Sequence, residues 1–469
     1  ACVLPDRKSG RVAHRFRDRG SGVTLAELPS AAPEASQPLP PGSATFISHP
    51  GTSERLLVIL TTFILVNGLP NTWFVTRAQS VAGDGGNFVL VAVEIALMGL
   101  ALLRIGGSFE LVYQALRLEP AVSVLIGLAV ASTFWSSNLY LTAKDSIILA
   151  VVTLYATYLI LRFALNEILR LLSAALVAGT VLNLVFVLAL PQFSETASGW
   201  DGVFSQKNAL GFAAVIAIPV LLTTAREHRA WRVLYYAAAM GQVVLLIGSQ
   251  SKTMLMAALC TVVLMIVYRG FRAKKTLRGA VIFGLISSSA LFTAFATANI
   301  AILADILDKD VTLTGRTLLW ADLWPIFLQR PLMGFGYGGA FDGYFSPVHE
   351  VWIQNRWEPS HAHNALLQTG LELGVIGVVL TLFIFVRAIS RATRTVRDVP
   401  GSVGIWPLAF LSTTLLISIS ESGVLSNNVG WLLYVLAVFS TAAQERSRKQ
   451  AELRGTDHPS HFFDRMGTN

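Results

Sequence analysis

Apolar residues in this chain gather in blocks divided by short polar stretches. The blocks cover residues 54–70, 88–103, 120–135, 146–163, 168–190, 209–225, 231–248, 253–268, 278–301, 364–386, 404–420 and 428–443. Most are close to the roughly 17–25 apolar residues that a helix needs to cross a bilayer. Backbone groups in lipid must be satisfied within their own segment, so helices are expected. The pattern predicts an all-α polytopic integral membrane protein with about 12 transmembrane helices. Residues 1–50 are rich in Arg, Ser, Pro and Ala, lack apolar periodicity, and read as a disordered basic tail. Residues 51–445 form the membrane domain, and 446–469 a polar C-terminal tail. Within the domain, 302–363 is the largest loop, and a short amphipathic helix is expected in it.

Composition agrees. The 469 residues are 53% hydrophobic and 14% charged, where a soluble domain carries about a quarter charged residues. The pI of 9.6 suggests nucleic acid until the charges are placed. With the N-terminal tail in the cytoplasm, 28 of the 36 Lys and Arg fall on the inner side, as orientation by positive charge requires. "RGFRAKKTLR" and "RAISRATRTVR" are the strongest inner markers. The basicity therefore reports topology, with both termini cytoplasmic, and no nucleic-acid partner is expected. The start is basic and polar with no apolar core behind it, so no signal peptide is expected there. Cys2 and Cys260 lie in unlike surroundings, which predicts neither a disulfide nor a thiol metal site.

The eight outer basic residues are Arg77, Lys144, Lys207, Lys252, Lys309, Arg316, Arg330 and Arg356. Four of them lie in the 302–363 loop. That loop ends in "SHAHNALLQTGLELG", where His361, His363 and Asn364 meet an apolar run. Asn364 is a favoured helix N-cap, and the histidines are then solvated loop residues. Alternatively, a histidine at the membrane mouth accepts a proton near neutral pH. A helical metal pair wants a spacing of four, so no metal is expected. In "GRTLLWADLWPIFLQRP", Arg316, Trp320, Trp324 and Phe327 share helical spacing, and Pro331 ends the element. Arg316 either snorkels to headgroups or grips a phosphate bidentately.

Further polar groups stand at helix starts. Lys207 and Asn208 precede one apolar block, where an anion is favoured; an interfacial anchor is the alternative. Ser249, Ser251, Lys252 and Thr253 repeat the theme. "GFGYGG" lacks the preceding strand of a dinucleotide loop, so it reads as a turn, flexible or beside a substrate. Asp305, Asp308 and Asp310 read better as a solvated acidic loop than as a metal site. Glu94 and Glu372 fall inside apolar blocks, where ionisable groups are costly and often functional. Together these features suit an anionic amphiphile at the outer surface, such as a lipid phosphate carrying a polar cargo.

The motifs "ASTFWSSNLYLTAKDS", "GVFSQKNALG", "SQSKTMLMA", "GRTLLWADLWPIFLQRPLMGFGYGGAF" and "SHAHNALLQTGLELGVIG", in this order over about 85–440, resemble the O-antigen ligase and Wzy-type polysaccharide polymerase superfamily. "SQKNALG" and "SKT" resemble ExoQ-type exopolysaccharide polymerases. The resemblance implies metal-independent glycosyl transfer on the outer face of the bacterial inner membrane, without a cofactor. The donor is a glycan on undecaprenyl pyrophosphate. The acceptor is another lipid-linked glycan in polymerases and lipid A-core in ligases. The family's loop histidine falls on His363 and its loop arginine on Arg316, the implied catalytic pair. Lys207 stands where ligases often carry an arginine, a departure because lysine lacks the bidentate fork. Asn208, Lys252, Arg330, His361, Asn364 and Trp320 are the candidate substrate-binding residues. His363 would deprotonate the acceptor while Arg316 and Lys207 stabilise the leaving pyrophosphate, with inversion at the anomeric carbon. Other polysaccharide assembly proteins are possible partners, beside membrane lipids. A transporter is a further alternative, predicting broken helices at the membrane midplane. A non-catalytic assembly partner is another, and the absence of a visible internal repeat weighs against the transporter.

Overall fold

The computed structural model describes residues 50–67, 88–103, 113, 116–196, 199–272, 274–291, 316–341, 346–355, 359–422 and 429–453. The predicted tail to residue 49, the 302–315 stretch with Asp305, Asp308, Lys309 and Asp310, and Cys2, Arg77, Arg356 and Trp357 lie outside them. So does the C-terminal tail from 454.

The longer helices are α1 (Thr52–Asn67), α2 (Phe88–Leu103), α3 (Pro120–Ala131), α4 (Leu139–Arg162), α5 (Leu165–Ala189), α6 (Lys207–Glu227), α7 (Arg232–Gly248) and α8 (Lys252–Phe271). They continue as α9 (Leu277–Leu291), α10 (Arg316–Gln329), α11 (His349–Asn355), α12 (Ala365–Asp398), α13 (Trp406–Ser418) and α14 (Val429–Leu453). Among the described residues, six helices are long and apolar enough to cross a membrane: α4, α5, α6, α7 with the turn before it, α8 and α12. The all-α membrane architecture is therefore present. A two-residue antiparallel pair, Glu195–Thr196 with Gly199–Trp200, is the only sheet in the described residues.

Burial shows which helices face lipid. Every residue from Val429 to Gln444 of α14 is buried, and so is nearly all of α13. Helices apolar all round belong in a bundle centre. By contrast, α7, α8 and α12 leave Val233, Met240, Leu259, Ile266, Val379 and Val386 exposed, which suits lipid. Apolar attraction between helices is weak in lipid, so hydrogen bonds and close packing hold the bundle. Thr261 pairs with Thr413 and Tyr268 with Ser412, both at 2.8 Å, and the Trp431 indole donates to Thr153 at 2.9 Å.

Two places in the bundle gather most of the ion pairs among the described residues. At one end, Arg162 binds Glu54 and Arg55 binds Glu167, each at 2.7 Å. Nearby by topology, Arg391 bridges Glu119 and Glu445. The other place is the start of α12. Arg391 lies 26 residues beyond Ala365, at most roughly 39 Å at 1.5 Å per residue, enough length to cross the ~30 Å hydrocarbon core of a bilayer.

α12 is not continuous. Gly374 has φ +66° and breaks it. The freed backbone groups are met by the segment after α10. Val375 N–H donates to Pro331 O at 2.8 Å, Phe335 N–H to Leu371 O at 2.8 Å, and Gly336 N–H to Glu372 O at 2.9 Å. A side chain at Gly334 or Gly374 would collide with the facing backbone. "GFGYGG" is thus a wedge that heals a broken membrane helix, since irregular backbone at this depth must find partners in protein.

Candidate active site

Asn364 accepts from Leu366 N–H at 3.1 Å and Leu367 N–H at 3.0 Å, capping α12. Its amide also donates to Ile419 O at 3.3 Å, tying the cap to the end of α13. The residue before it, His363, has φ +49°. That left-handed conformation is uncommon for a residue with Cβ and persists only where the surroundings hold it. Ala362 is held on both sides. Its N–H donates to Gln368 Oε1 at 2.7 Å, and its carbonyl accepts from the Trp320 indole at 2.8 Å.

The turn aims both histidines at one carboxylate. Glu421 follows α13 in "SISESG" and is 5% exposed. Its Oε2 lies 3.1 Å from His361 Nε2 and 3.1 Å from His363 Nδ1. Its Oε1 accepts from Arg316 Nη2 at 2.8 Å, and Arg316 Nη1 donates to Ser420 O at 2.5 Å. Arg316 and His363 are each 8% exposed. The histidine rings stand 4.0 Å apart between centroids, tilted by 39°.

The electrostatics follow from this geometry. Burial pushes the Glu421 carboxyl up, but hydrogen bonds from the two histidines and the Arg316 charge outweigh it. The group is held well below the usual carboxylate range and is ionised. An ionised carboxylate only accepts, so the ring nitrogens facing it carry the protons. His363 then bears its lone pair on Nε2. For His361 the lone pair falls on Nδ1, 2.9 Å from the Ser360 hydroxyl, which donates to it. Burial lowers the His363 pKa, aided by His361 and Arg316, and the Glu421 hydrogen bond only partly offsets this. His363 is therefore neutral near pH 7, the form a general base needs.

The structure thus brings together Arg316, Trp320, His361, His363 and Asn364. It adds Glu421 and Gln368, which sequence reasoning missed. The signal for Glu421 was present: an acid directly after an apolar block, where burial demands a partner. The remaining candidates stand elsewhere. Lys207 and Lys252 open α6 and α8, whose starts are joined by a Ser251–Asn208 hydrogen bond of 3.2 Å. Arg330 donates to Trp135 O at 3.0 Å and covers the Phe335 ring at 5.1 Å. Lys144 pairs with its neighbour Asp145 at 3.5 Å. Glu372 accepts from Gln368 within its own helix at 2.7 Å.

One atom each from His361, His363 and Glu421 lie within 4.8 Å of one another, close enough to share a cation. The Arg316 guanidinium already occupies the same carboxylate. A second positive charge beside it is disfavoured, so the group reads as a histidine–carboxylate–arginine network.

Two comparisons bear on this arrangement. The sequence pattern of the O-antigen ligase family matches residues 235–382, which include most of α7, all of α8, Arg316 and the His361–Asn364 turn. The exopolysaccharide production protein ExoQ of Rhizobium meliloti (strain 1021) is 26% identical over 276 residues, covering 53% of this chain and 62% of that protein. The chain thus spans less than two thirds of that relative's length. Both findings bear out the resemblance to the O-antigen ligase and Wzy-type polymerase superfamily.

Proposed function

From a chain whose residues 235–382 carry the O-antigen ligase family's pattern, we propose a membrane glycosyltransferase. It joins undecaprenyl-pyrophosphate-linked repeat units into a polysaccharide at the outer face of the bacterial inner membrane. The observation that carries this reading is Glu421, one carboxylate that holds a base candidate and a cation together. In the reaction, an acceptor hydroxyl attacks the anomeric carbon of the donor glycan. The new C–O bond forms as the bond to pyrophosphate breaks, and the acceptor proton passes to His363 Nε2. General-base help of this kind contributes about 10²–10⁴-fold. Arg316 keeps N–H donors beyond the two it directs at Glu421 and Ser420, and these meet charge on the leaving group. Direct attack inverts the anomeric centre and needs neither enzyme nucleophile nor metal. A chelator leaves the rate unchanged on this account.

Lys207, Asn208 and Lys252 supply a second anion-binding group. Lys252 stands nine residues before Thr261, and Glu421 eight after its partner Thr413. With α8 and α13 antiparallel, both reach roughly 12–14 Å beyond that bond, to a similar level. The donor's lipid fits an apolar cavity of about 760 Å³ beside Trp320 and Asn364, lined also by Trp324, Phe327, Leu367 and Val378. The inner end is the one bearing the Arg391 and Arg162 pairs. Twelve spans, cytoplasmic termini and a periplasmic 302–363 loop complete the topology, tested by cysteine labelling from each side.

Polymerisation is favoured over ligation because the similar protein is named for exopolysaccharide production. The purified chain is to be given undecaprenyl-pyrophosphate-linked repeat units. A ladder of multiples supports the polymerase. Transfer only once lipid A-core is added supports the ligase. No transfer from authentic donor by folded protein overturns both.

A further inference from the structure

Gln368 and Glu372 lie deeper along α12 than the histidines, and the reaction as proposed uses neither. Both are buried. They form a directed chain. Glu372 Oε1 accepts from Gln368 Nε2 at 2.7 Å, and Gln368 Oε1 accepts from Ala362 N–H at 2.7 Å. The Ala362 N–H can only donate, so the Gln368 amide must present its oxygen there. Its nitrogen is thereby turned toward Glu372. Ala362 stands between the two histidines, and its N–H precedes the left-handed residue His363, φ +49°. The far end of the chain is fixed as well. Backbone bonds from Phe335 and Gly336 to Leu371 O and Glu372 O, at 2.8 and 2.9 Å, lock that stretch of α12 to the glycine wedge.

We propose that Gln368 and Glu372 are positioning residues that hold the His361–His363 turn in its strained form, so that His363 Nδ1 reaches Glu421. The proposal rests on the glycosyl-transfer reading for its effect on rate, but not for its geometry. It also gives "GFGYGG" a role, because the wedge fixes the residue from which the chain starts.

The polarity of the chain supplies the test. Gln368→Leu removes both the acceptor of Ala362 N–H and the donor to Glu372, and Ala362 is released. The expected turnover loss is about 100-fold, the effect of a ~1 Å misplacement at a reacting centre, with donor KM little changed. Glu372→Gln alone can still offer an amide oxygen to Gln368, so its loss stays within about tenfold. The double variant Q368E/E372Q reverses the chain. The new carboxylate accepts from Ala362 N–H and the new amide donates to it. Turnover should return to within about tenfold of wild type. A double variant no better than Gln368→Leu overturns the proposal.

A second readout separates this from the reaction itself. Modification by diethyl pyrocarbonate, read at His363 by mass spectrometry in the full-length protein, should be slow in wild type and in the double variant. It should be fast in Gln368→Leu. Equal rates in all three overturn the positioning role. A wild-type protein that transfers no sugar overturns the glycosyl-transfer reading and leaves this comparison standing.

Discussion

At the Arg391 end of the bundle, guanidiniums on helix sides meet carboxylates, one of them, Glu119, at the cap of α3. At the His363 end, a carboxylate past a helix terminus meets two histidines in a left-handed turn. Both regions are dry: Glu119 and Arg391 are 1% and 6% exposed, much like Glu421 and Arg316. Burial therefore does not tell them apart. Their partners do. Arg391 meets two carboxylates, Glu119 and Glu445, which Arg387 and Arg394 also approach. Glu421 faces two rings that can change charge, held by a backbone that a relaxed chain would avoid. A staple needs matched permanent charges. A site of proton transfer needs a group poised between two states, and a scaffold that fixes its orientation.

The contrast breaks most visibly at Glu421 and at Arg391. Glu421→Ala removes the acceptor that Arg316 and both histidines share, so turnover should fall about 10²–10³-fold. A loss only of folded protein would make Glu421 another staple. Arg391→Met leaves buried Glu119 with Arg387 at 3.6 Å and half-buried Glu445 with Arg394 at 3.0 Å. The expected cost is about 1–3 kcal/mol of stability, read as a lower unfolding temperature in detergent. Turnover per folded molecule should hold, and a selective loss of turnover would erase the distinction.

Acidity sharpens the comparison further. Burial lowers the His363 pKa, so its base form persists below the ordinary imidazole value of ~6.5. Turnover should stay level through neutral pH and fall on the acid side, about tenfold per unit once past that lowered value. A fall that begins above pH ~7 would contradict the neutral, buried histidine. The smallest effect belongs to Arg330, exposed and bonded to Trp135 O. Arg330→Ala should cost less than about 1 kcal/mol of stability. In the donor titration, an unchanged KM would mark it as a brace and a raised KM as a substrate contact.

Much of this was legible in the chain because lipid imposes a simple rule. Apolar blocks such as 168–190 and 209–225 could only be helices, and α5 and α6 cover them. Asn364 before an apolar run announced a cap and makes one. The site was half legible for a different reason. His363 and Arg316 stand out as polar residues where few are expected, but their meeting depends on Glu421, which is 58 residues beyond His363. No local period encodes a contact made by folding. The break at Gly374 was hidden similarly. "LELGVIG" reads as one apolar helix, and the partner that makes the break tolerable, Pro331 to Gly336, arrives from another segment. Glycine in both places was the only trace.

The central claim is that His363, rather than its neighbour, is the base. It is tested most directly by turnover of His363→Ala and His361→Ala on the same lipid-linked donor, at matched folded protein. His361 engages both ring nitrogens, with Glu421 and with Ser360, so its loss should cost far less. The account predicts a fall of about 10²–10⁴-fold for His363→Ala, with most turnover kept in His361→Ala. The reverse order, or equal losses in both, would contradict it.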